Sequence, residues 1–312
     1  MSIHPQAPDT PAPERRPMTL PRLAEMKLAA EPVVMVTAYD HPSAEVAEAA
    51  GVDIVLVGDS GAMTVLGYDS TVPVGMEEML MLAAAVRRGL RTPLLVGDMP
   101  FGSYESSDEQ AVTNAQRFVK EAGCDAVKLE RGGASVDRAA AIIRAGVPVM
   151  GHVGLTPQTA IALGGFRAQG RTATKAAAVA EDALALQAVG CFSVVFEAIP
   201  AAVTAALMPR MDRSLVIAIG AGSAADGQVL VFHDLLGIFG GHKPKFVKRY
   251  AELREEMVGG VGEYAREVRE GAFPAPEHDY AIERDELEAF RRYLERDGRD
   301  QAFTGDWAAT EI

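Results

Sequence analysis

The junctions between segments constrain this chain most. Four stretches share one plan: AAGVDIVLVGD (49–59), EAGCDAVKLE (121–130), RAGVPVMGH (144–152) and AVGCFSVVFE (188–197). A helical run ends at a glycine, an apolar strand follows, and a polar side chain closes the strand. Glycine stops a helix because it accepts the left-handed conformation there. Strands apolar on both faces are those of a parallel sheet buried under helices. The pattern predicts strands at 32–37, 53–57, 94–96, 125–129, 147–150, 192–196 and 215–219, with a weaker eighth at 245–248. Helices are expected between them, the first capped by Ser43. Spacing between the junctions is irregular, which excludes a solenoid.

Polar residues stand at the carboxyl ends of many strands, not at one switch point. That favours a (β/α)8 TIM barrel over an open doubly wound sheet. The barrel is expected over residues 18–275. Residues 1–17, rich in Pro, Ala and charge, read as a disordered tail. Residues 276–312 read as a C-terminal helical extension, with a charged helix at 282–297 carrying Leu287, Phe290 and Leu294 on one face.

Composition narrows the function classes. A chain of 312 residues that is 48% hydrophobic can bury a large core. A net charge of −13 argues against non-specific binding to nucleic acid or to an anionic membrane, both of which select basic surfaces. Cys124 and Cys191 each follow a glycine and open an apolar run, so both read as buried, reduced thiols without metal spacing. No apolar run reaches bilayer length and no signal-peptide pattern is present, so the expected compartment is the cytoplasm.

Reading the strand ends in order gives Asp59-Ser60, Asp98, Lys128 with Glu130, His152, Glu197 and Gly220-Ala221-Gly222. Three rim carboxylates, Asp59, Asp98 and Glu130, would repel one another, and a divalent cation would remove the repulsion. All-oxygen donors favour Mg2+ or Mn2+. Helix capping or pairing with nearby bases is the alternative for each acid. Lys128 and Glu130 are two apart on a strand and face the same way. Lys128 is either half of a structural ion pair or a cation for a substrate carboxylate or enolate. Glu197, after a very apolar strand, suits a general base, with metal ligation or capping as the alternatives. His152 reads as a structural histidine. The glycines at 220 and 222 lack the full dinucleotide fingerprint and suit a tight turn. The stretch 155–171 is either a mobile lid or an ordinary βα loop.

Several motifs together resemble a known family. VGDS…TVLGYDSTVPV, GDMPFGSY, AVKLE, GHVGLTPQ, FE-x-IP, GAG…DGQVLV-x-HD and PKFVK occur in the order seen in ketopantoate hydroxymethyltransferases, over about residues 18–275. This chain has Gly61-Ala62 where that family often has Leu-Gly, and Ala225 where it often has Cys. The resemblance implies a barrel of the phosphoenolpyruvate/pyruvate superfamily assembled as a homo-decamer. It implies transfer of a hydroxymethyl group from 5,10-methylenetetrahydrofolate to 3-methyl-2-oxobutanoate, giving 2-dehydropantoate for pantothenate and coenzyme A. It also implies Mg2+ on Asp59, Asp98 and Glu130, keto-acid contacts from Asp59, Ser60, Asp98 and Lys128, a lesser pocket role for His152, and Glu197 as the proton acceptor. Two other readings compete. A C–C lyase of the same superfamily would share the acids and the enolate chemistry, but not the motifs outside the metal site. A non-catalytic metabolite-binding barrel would not need the acid–Lys–acid–Glu set intact.

Overall fold

In the structure, a computed structural model, residues 15–241 and 243–296 are described. The chain runs α1 (Leu20–Leu28), β1 (Val33–Thr37), α2 (His41–Ala50), β2 (Ile54–Val57), α3 (Gly61–Thr64), α4 (Met76–Gly89), β3 (Leu94–Asp98) and α5 (Asp108–Ala122). It continues through β4 (Ala126–Lys128), α6 (Ala134–Arg144), β5 (Val149–Gly154), α7 (Ala173–Ala188), β6 (Ser193–Glu197), α8 (Ala201–Leu207), β7 (Leu215–Ile219), β8 (Gly227–Leu230) and α9 (Phe232–Leu235). The eight strands pair in sequence order, all parallel, and β8 closes on β1. This is the expected (β/α)8 barrel.

Local chemistry explains the elements. Gly51 and Gly123 end α2 and α5 in the left-handed region, at φ 72° and 71°. The cap of α2 differs from expectation. Asp40, not Ser43, is the N-cap, and its carboxylate accepts from the Ser43 amide at 2.8 Å. Ser43 closes the box from inside the first turn, where its hydroxyl accepts from the Asp40 amide at 3.2 Å.

The eighth strand is also elsewhere than expected. It is Gly227–Leu230, not 245–248. The reason is closure. A Cβ at position 227 would lie 2.4 Å from the Val33 carbonyl oxygen, so only glycine lets β8 approach β1 this closely. Residues 245 and 246 instead line the cavity over the carboxyl ends of the strands.

Two apolar layers hold the barrel. Met35, Ile54, Leu56, Val96, Met150 and Ile217 fill its interior, joined by Leu23 and Met26 of α1. The outward residues, among them Val55, Val57, Leu95, Val127 and Phe196, pack under the helices. α1 is tied on by Lys27, whose ammonium lies 2.6 Å from Asp226. Cys124 and Cys191 are free and buried. Of the stretch expected to be a tail, residues 1–14 lie outside the described residues, and Arg15 pairs with Asp53 at 3.1 Å.

The chain divides into two compact units, one running to Arg254 and the other starting at Glu255. The second unit contains most of α10 (Leu253–Glu270) and all of α11 (Arg284–Arg296). No residue of α10 is buried, and Met257, Val261, Tyr264 and Val268 stand exposed at helical spacing. The expected helix at 282–297 corresponds to α11, and residue 297 lies outside the described residues. Among the described residues no helix is long and apolar enough to cross a membrane.

Candidate active site

Strand parity builds the site. On each strand, alternate residues face the barrel interior. Leu94 and Val96 are interior, and the next inward position is Asp98. Ala126 is followed by Lys128, Met150 by His152 and Val195 by Glu197. The apolar layers therefore give way to a polar layer at the carboxyl ends. Register sets the neighbours: Asp98 pairs with Lys128 across β3 and β4, and Lys128 with Met150 across β4 and β5.

The polar side chains form one continuous string. Lys128 Nζ is 2.8 Å from Asp98 Oδ1, 3.8 Å from Glu130 Oε1 and 3.4 Å from His152 Nδ1. His152 lies between two acids, with Nδ1 3.3 Å from Glu130 Oε1 and Nε2 3.2 Å from Glu197 Oε2. Asp59 joins through its main chain, its amide donating to Asp98 Oδ2 at 3.0 Å. Asp59, Asp98, Lys128, Glu130 and His152 are all buried. Ser60 lines the same cavity, but its hydroxyl contacts Tyr39 Oη at 2.9 Å, not the acids.

Burial and charge shift these groups. Burial pushes the Asp59 carboxyl well above the usual range, and the nearby Asp98 and Glu130 charges add to it. Burial raises Asp98 as well, against the pull of Lys128. For Glu130 burial is outweighed by His152, Lys128 and the Gln158 amide, and its pKa is lowered. Lys128 is raised because Asp98, Glu130 and Asp59 overcome its burial. His152 is pushed up to about 9: burial and Lys128 oppose its protonation, but Glu130 and Glu197 prevail.

Three contributors went unrecognised in the sequence. Gln158, in a 3-10 turn at Pro157–Thr159, donates from Nε2 to Asp59 Oδ2 and to the Met99 carbonyl, both at 3.0 Å. Its main-chain amide donates to Glu130 Oε2 at 3.1 Å. Tyr104 donates to Gln158 Oε1 at 2.6 Å, and Tyr39 holds Ser60. Gln158 and Tyr104 lie inside the motifs GHVGLTPQ and GDMPFGSY, which is the only sequence signal they carry. The stretch 155–171 divides: Leu155, Thr156, Gln158 and Ala160 are buried, whereas Ile161 and Phe166 are exposed. Gly220 and Gly222 take left-handed φ values of 64° and 89°, and both line the cavity.

The site opens into a cavity of about 900 Å3. Its floor carries Asp59, Asp98, Lys128, Glu130, His152 and Glu197, and its upper wall includes Phe166, Phe239 and Phe246. Among the described residues no three His, Cys, Asp or Glu side chains already converge as a metal-ligand set. Lys128 reaches between Asp98 and Glu130 and partly neutralises them. The donor chemistry nevertheless fits a hard divalent cation. Asp98 Oδ1 meets only the Lys128 ammonium, at 2.8 Å, and Glu130 Oε1 faces His152 and Lys128 at 3.3 and 3.8 Å, so neither oxygen is taken by a neutral donor. One ammonium and one imidazolium still leave the three acids short of full neutralisation.

A closed parallel barrel with acids, a lysine and a histidine gathered at its carboxyl end has the architecture of a barrel enzyme. Solved structures share the fold. Phosphonopyruvate hydrolase aligns with a TM-score of 0.55 at 14% identity, covering 91% of this chain and 99% of that chain. 2,3-Dimethylmalate lyase, a member of the PEP mutase/isocitrate lyase superfamily, aligns with a TM-score of 0.52 at 12% identity, covering 90% and 99%. The family model of ketopantoate hydroxymethyltransferase matches residues 17–276. The 3-methyl-2-oxobutanoate hydroxymethyltransferase of Moorella thermoacetica is 52% identical over 86% of this chain and 99% of its own length. A mitochondrial 3-methyl-2-oxobutanoate hydroxymethyltransferase of Arabidopsis thaliana is 48% identical over 94% of this chain and 86% of its own length. The chain belongs to the ketopantoate hydroxymethyltransferase family.

Proposed function

We propose that this chain transfers a hydroxymethyl group from 5,10-methylenetetrahydrofolate to 3-methyl-2-oxobutanoate, giving 2-dehydropantoate for pantothenate and coenzyme A. The observation that carries the reading is the buried string Asp98–Lys128–Glu130–His152–Glu197 on the floor of the cavity, in a chain of this family.

Asp59 and Asp98 would hold Mg2+ directly. Glu130 would be the third acid of that site, with Gln158, Lys128 and His152 around its two oxygens. A bound Mg2+ supplies Lewis-acid polarisation of a 2-oxo acid, which makes the C3 hydrogen more acidic. Lys128, itself buried, places a fixed positive charge beside the developing enolate oxygen. Ser60 contacts the keto acid from the rim. Glu197, less buried than the other acids and facing the cavity, takes the C3 proton. C3 then bonds to the one-carbon unit, water supplies the hydroxyl, and tetrahydrofolate leaves.

The volume supports a second, larger ligand. A small branched keto acid fills only part of a cavity of about 900 Å3. Phe166, Phe239 and Phe246 offer aromatic faces to a pterin ring, and Arg167 and Lys245 offer charge to folate carboxylates. His152 acts as a pocket residue that orients Glu197.

Purified protein is expected to exchange the C3 proton of 3-methyl-2-oxobutanoate in D2O when Mg2+ is present, and to form product once the folate is added. Binding of the keto acid with neither exchange nor product would reject the catalytic reading. Cleavage of a different 2-oxo acid under the same conditions would favour a C–C lyase.

The assembly is a homo-oligomer, a decamer by the family resemblance. The exposed apolar spacing on α10 supports a protein partner surface. Light scattering at the monomer mass would reject this. The compartment proposed is the cytoplasm, in keeping with two free buried thiols. Recovery in a membrane or organelle fraction would overturn it.

A further inference from the structure

Each of the three rim acids has one carboxylate oxygen anchored by an amide N–H. Asp98 Oδ2 accepts from the Asp59 main chain at 3.0 Å. Asp59 Oδ2 accepts from Gln158 Nε2 at 3.0 Å, and Glu130 Oε2 accepts from the Gln158 main chain at 3.1 Å. Two of the three anchors therefore come from one residue, which lies outside the acids, the lysine and the base.

Gln158 is itself held on every side. It is 4% exposed. Its second contact from Nε2 goes to the Met99 carbonyl, and its Oε1 accepts from Tyr104 at 2.6 Å. Tyr104 Oη in turn accepts from the Glu130 amide at 3.3 Å. The amide's donors and acceptor are all used, so the side chain cannot flip its amide without losing three contacts. The arrangement joins the loop after β3, the segment after β4 and the turn after β5 into one brace. Among the described residues, no amide donor reaches Glu130 Oε1, the second oxygen of the acid that the Gln158 main chain anchors.

We propose that Gln158, braced by Tyr104, is the positioning residue that orients the Asp59 and Glu130 carboxylates for a divalent cation. This rests on the metal reading given above. A neutral amide is required by the chemistry. Glutamate has nearly the same shape, yet it would replace the donor facing Asp59 with an acceptor and a like charge. The main-chain anchor to Glu130 would survive in that variant, so its effect reports on the Nε2 contacts to Asp59 and the Met99 carbonyl.

The test is Mn2+ binding to the metal-free protein, read by electron paramagnetic resonance, with thermal melting measured alongside. Gln158→Glu is expected to weaken Mn2+ about 10- to 100-fold, the range typical of partners that orient metal ligands, while the metal-free protein still melts cooperatively, at a lower temperature because a buried carboxylate now faces Asp59 and the Met99 carbonyl. Tyr104→Phe is expected to weaken it less, by losing the brace and not the anchor. Activity of Gln158→Glu should recover towards wild type as Mn2+ is raised. Wild-type affinity in Gln158→Glu overturns the assignment and leaves the metal reading standing. A wild-type chain that binds no Mn2+ overturns both. If Gln158→Glu fails to fold, Gln158→Met gives the same reading, since it removes the anchor while keeping volume and neutrality; undiminished Mn2+ affinity there also overturns the proposal.

Discussion

Replacing Glu197 by Gln is expected to leave keto-acid binding nearly intact and to slow C3 proton exchange by about a hundred- to ten-thousand-fold, the span of a positioned general base. Glu197 ends β6 beside the cavity, with Oε2 3.2 Å from His152 Nε2. The amide keeps the shape and loses only the proton-accepting oxygen charge. Exchange at the wild-type rate would move the base to another group.

The same variant has a second readout at His152. Two acids lift that imidazole to about 9, and Glu197 is one of them. The raised value means that the imidazolium stabilises the fold. This contribution is complete below the unfolded-state pKa of about 6.5 and is lost as the pH rises through about 9. Without the Glu197 charge the folded value falls, so the loss begins at lower pH. A histidine NMR titration of the metal-free protein measures the shift directly. An unmoved His152 titration would mean that Glu130 alone sets it.

Lys128→Met is expected to carry the largest stability cost in the site. Lys128 is buried, and among the described residues it is the one cation in contact with both Asp98 and Glu130. Removing one partner from a buried ion pair leaves the other charge uncompensated, at about 3–5 kcal/mol. That is a large part of a total folding stability of about 5–15 kcal/mol. Urea unfolding of the metal-free protein should show a lower midpoint at unchanged slope. Two further signs follow. Lowering the pH should narrow the gap from wild type, because the Asp59 and Asp98 carboxyls already tend towards protonation. Adding Mg2+ should narrow it too, because a ligand bound only by the folded state stabilises it. A loss below about 1 kcal/mol, the ceiling for exposed pairs, would mean that the acids are neutralised without Lys128. Exchange activity should fall with the variant even where Mg2+ restores stability, since the charge beside the enolate oxygen is gone.

Much of this was legible in the chain. Alternation along a strand is local, so Val96 interior implies Asp98 interior, and Ala126 implies Lys128. The glycine stops delimit the strands for the same reason. The eighth strand was missed because its marker, Gly227, matters through the approach of Val33 from the far end of the barrel. The cap of α2 was shifted because both Asp40 and Ser43 are good capping residues, and only the backbone path chooses between them.

The sequence by itself determined the parallel barrel, seven of its eight strands and the acids, lysine, histidine and glutamate at one end. These follow from periodicities that each strand carries alone. The tertiary structure decided what each acid touches. It brought Gln158 to Asp59 across 99 positions and Tyr104 to Gln158 across 54. It also placed His152 between two acids on either side of it in the chain. Such contacts come from closure of the sheet and the folding of loops over its end, where no local repeat records the partner.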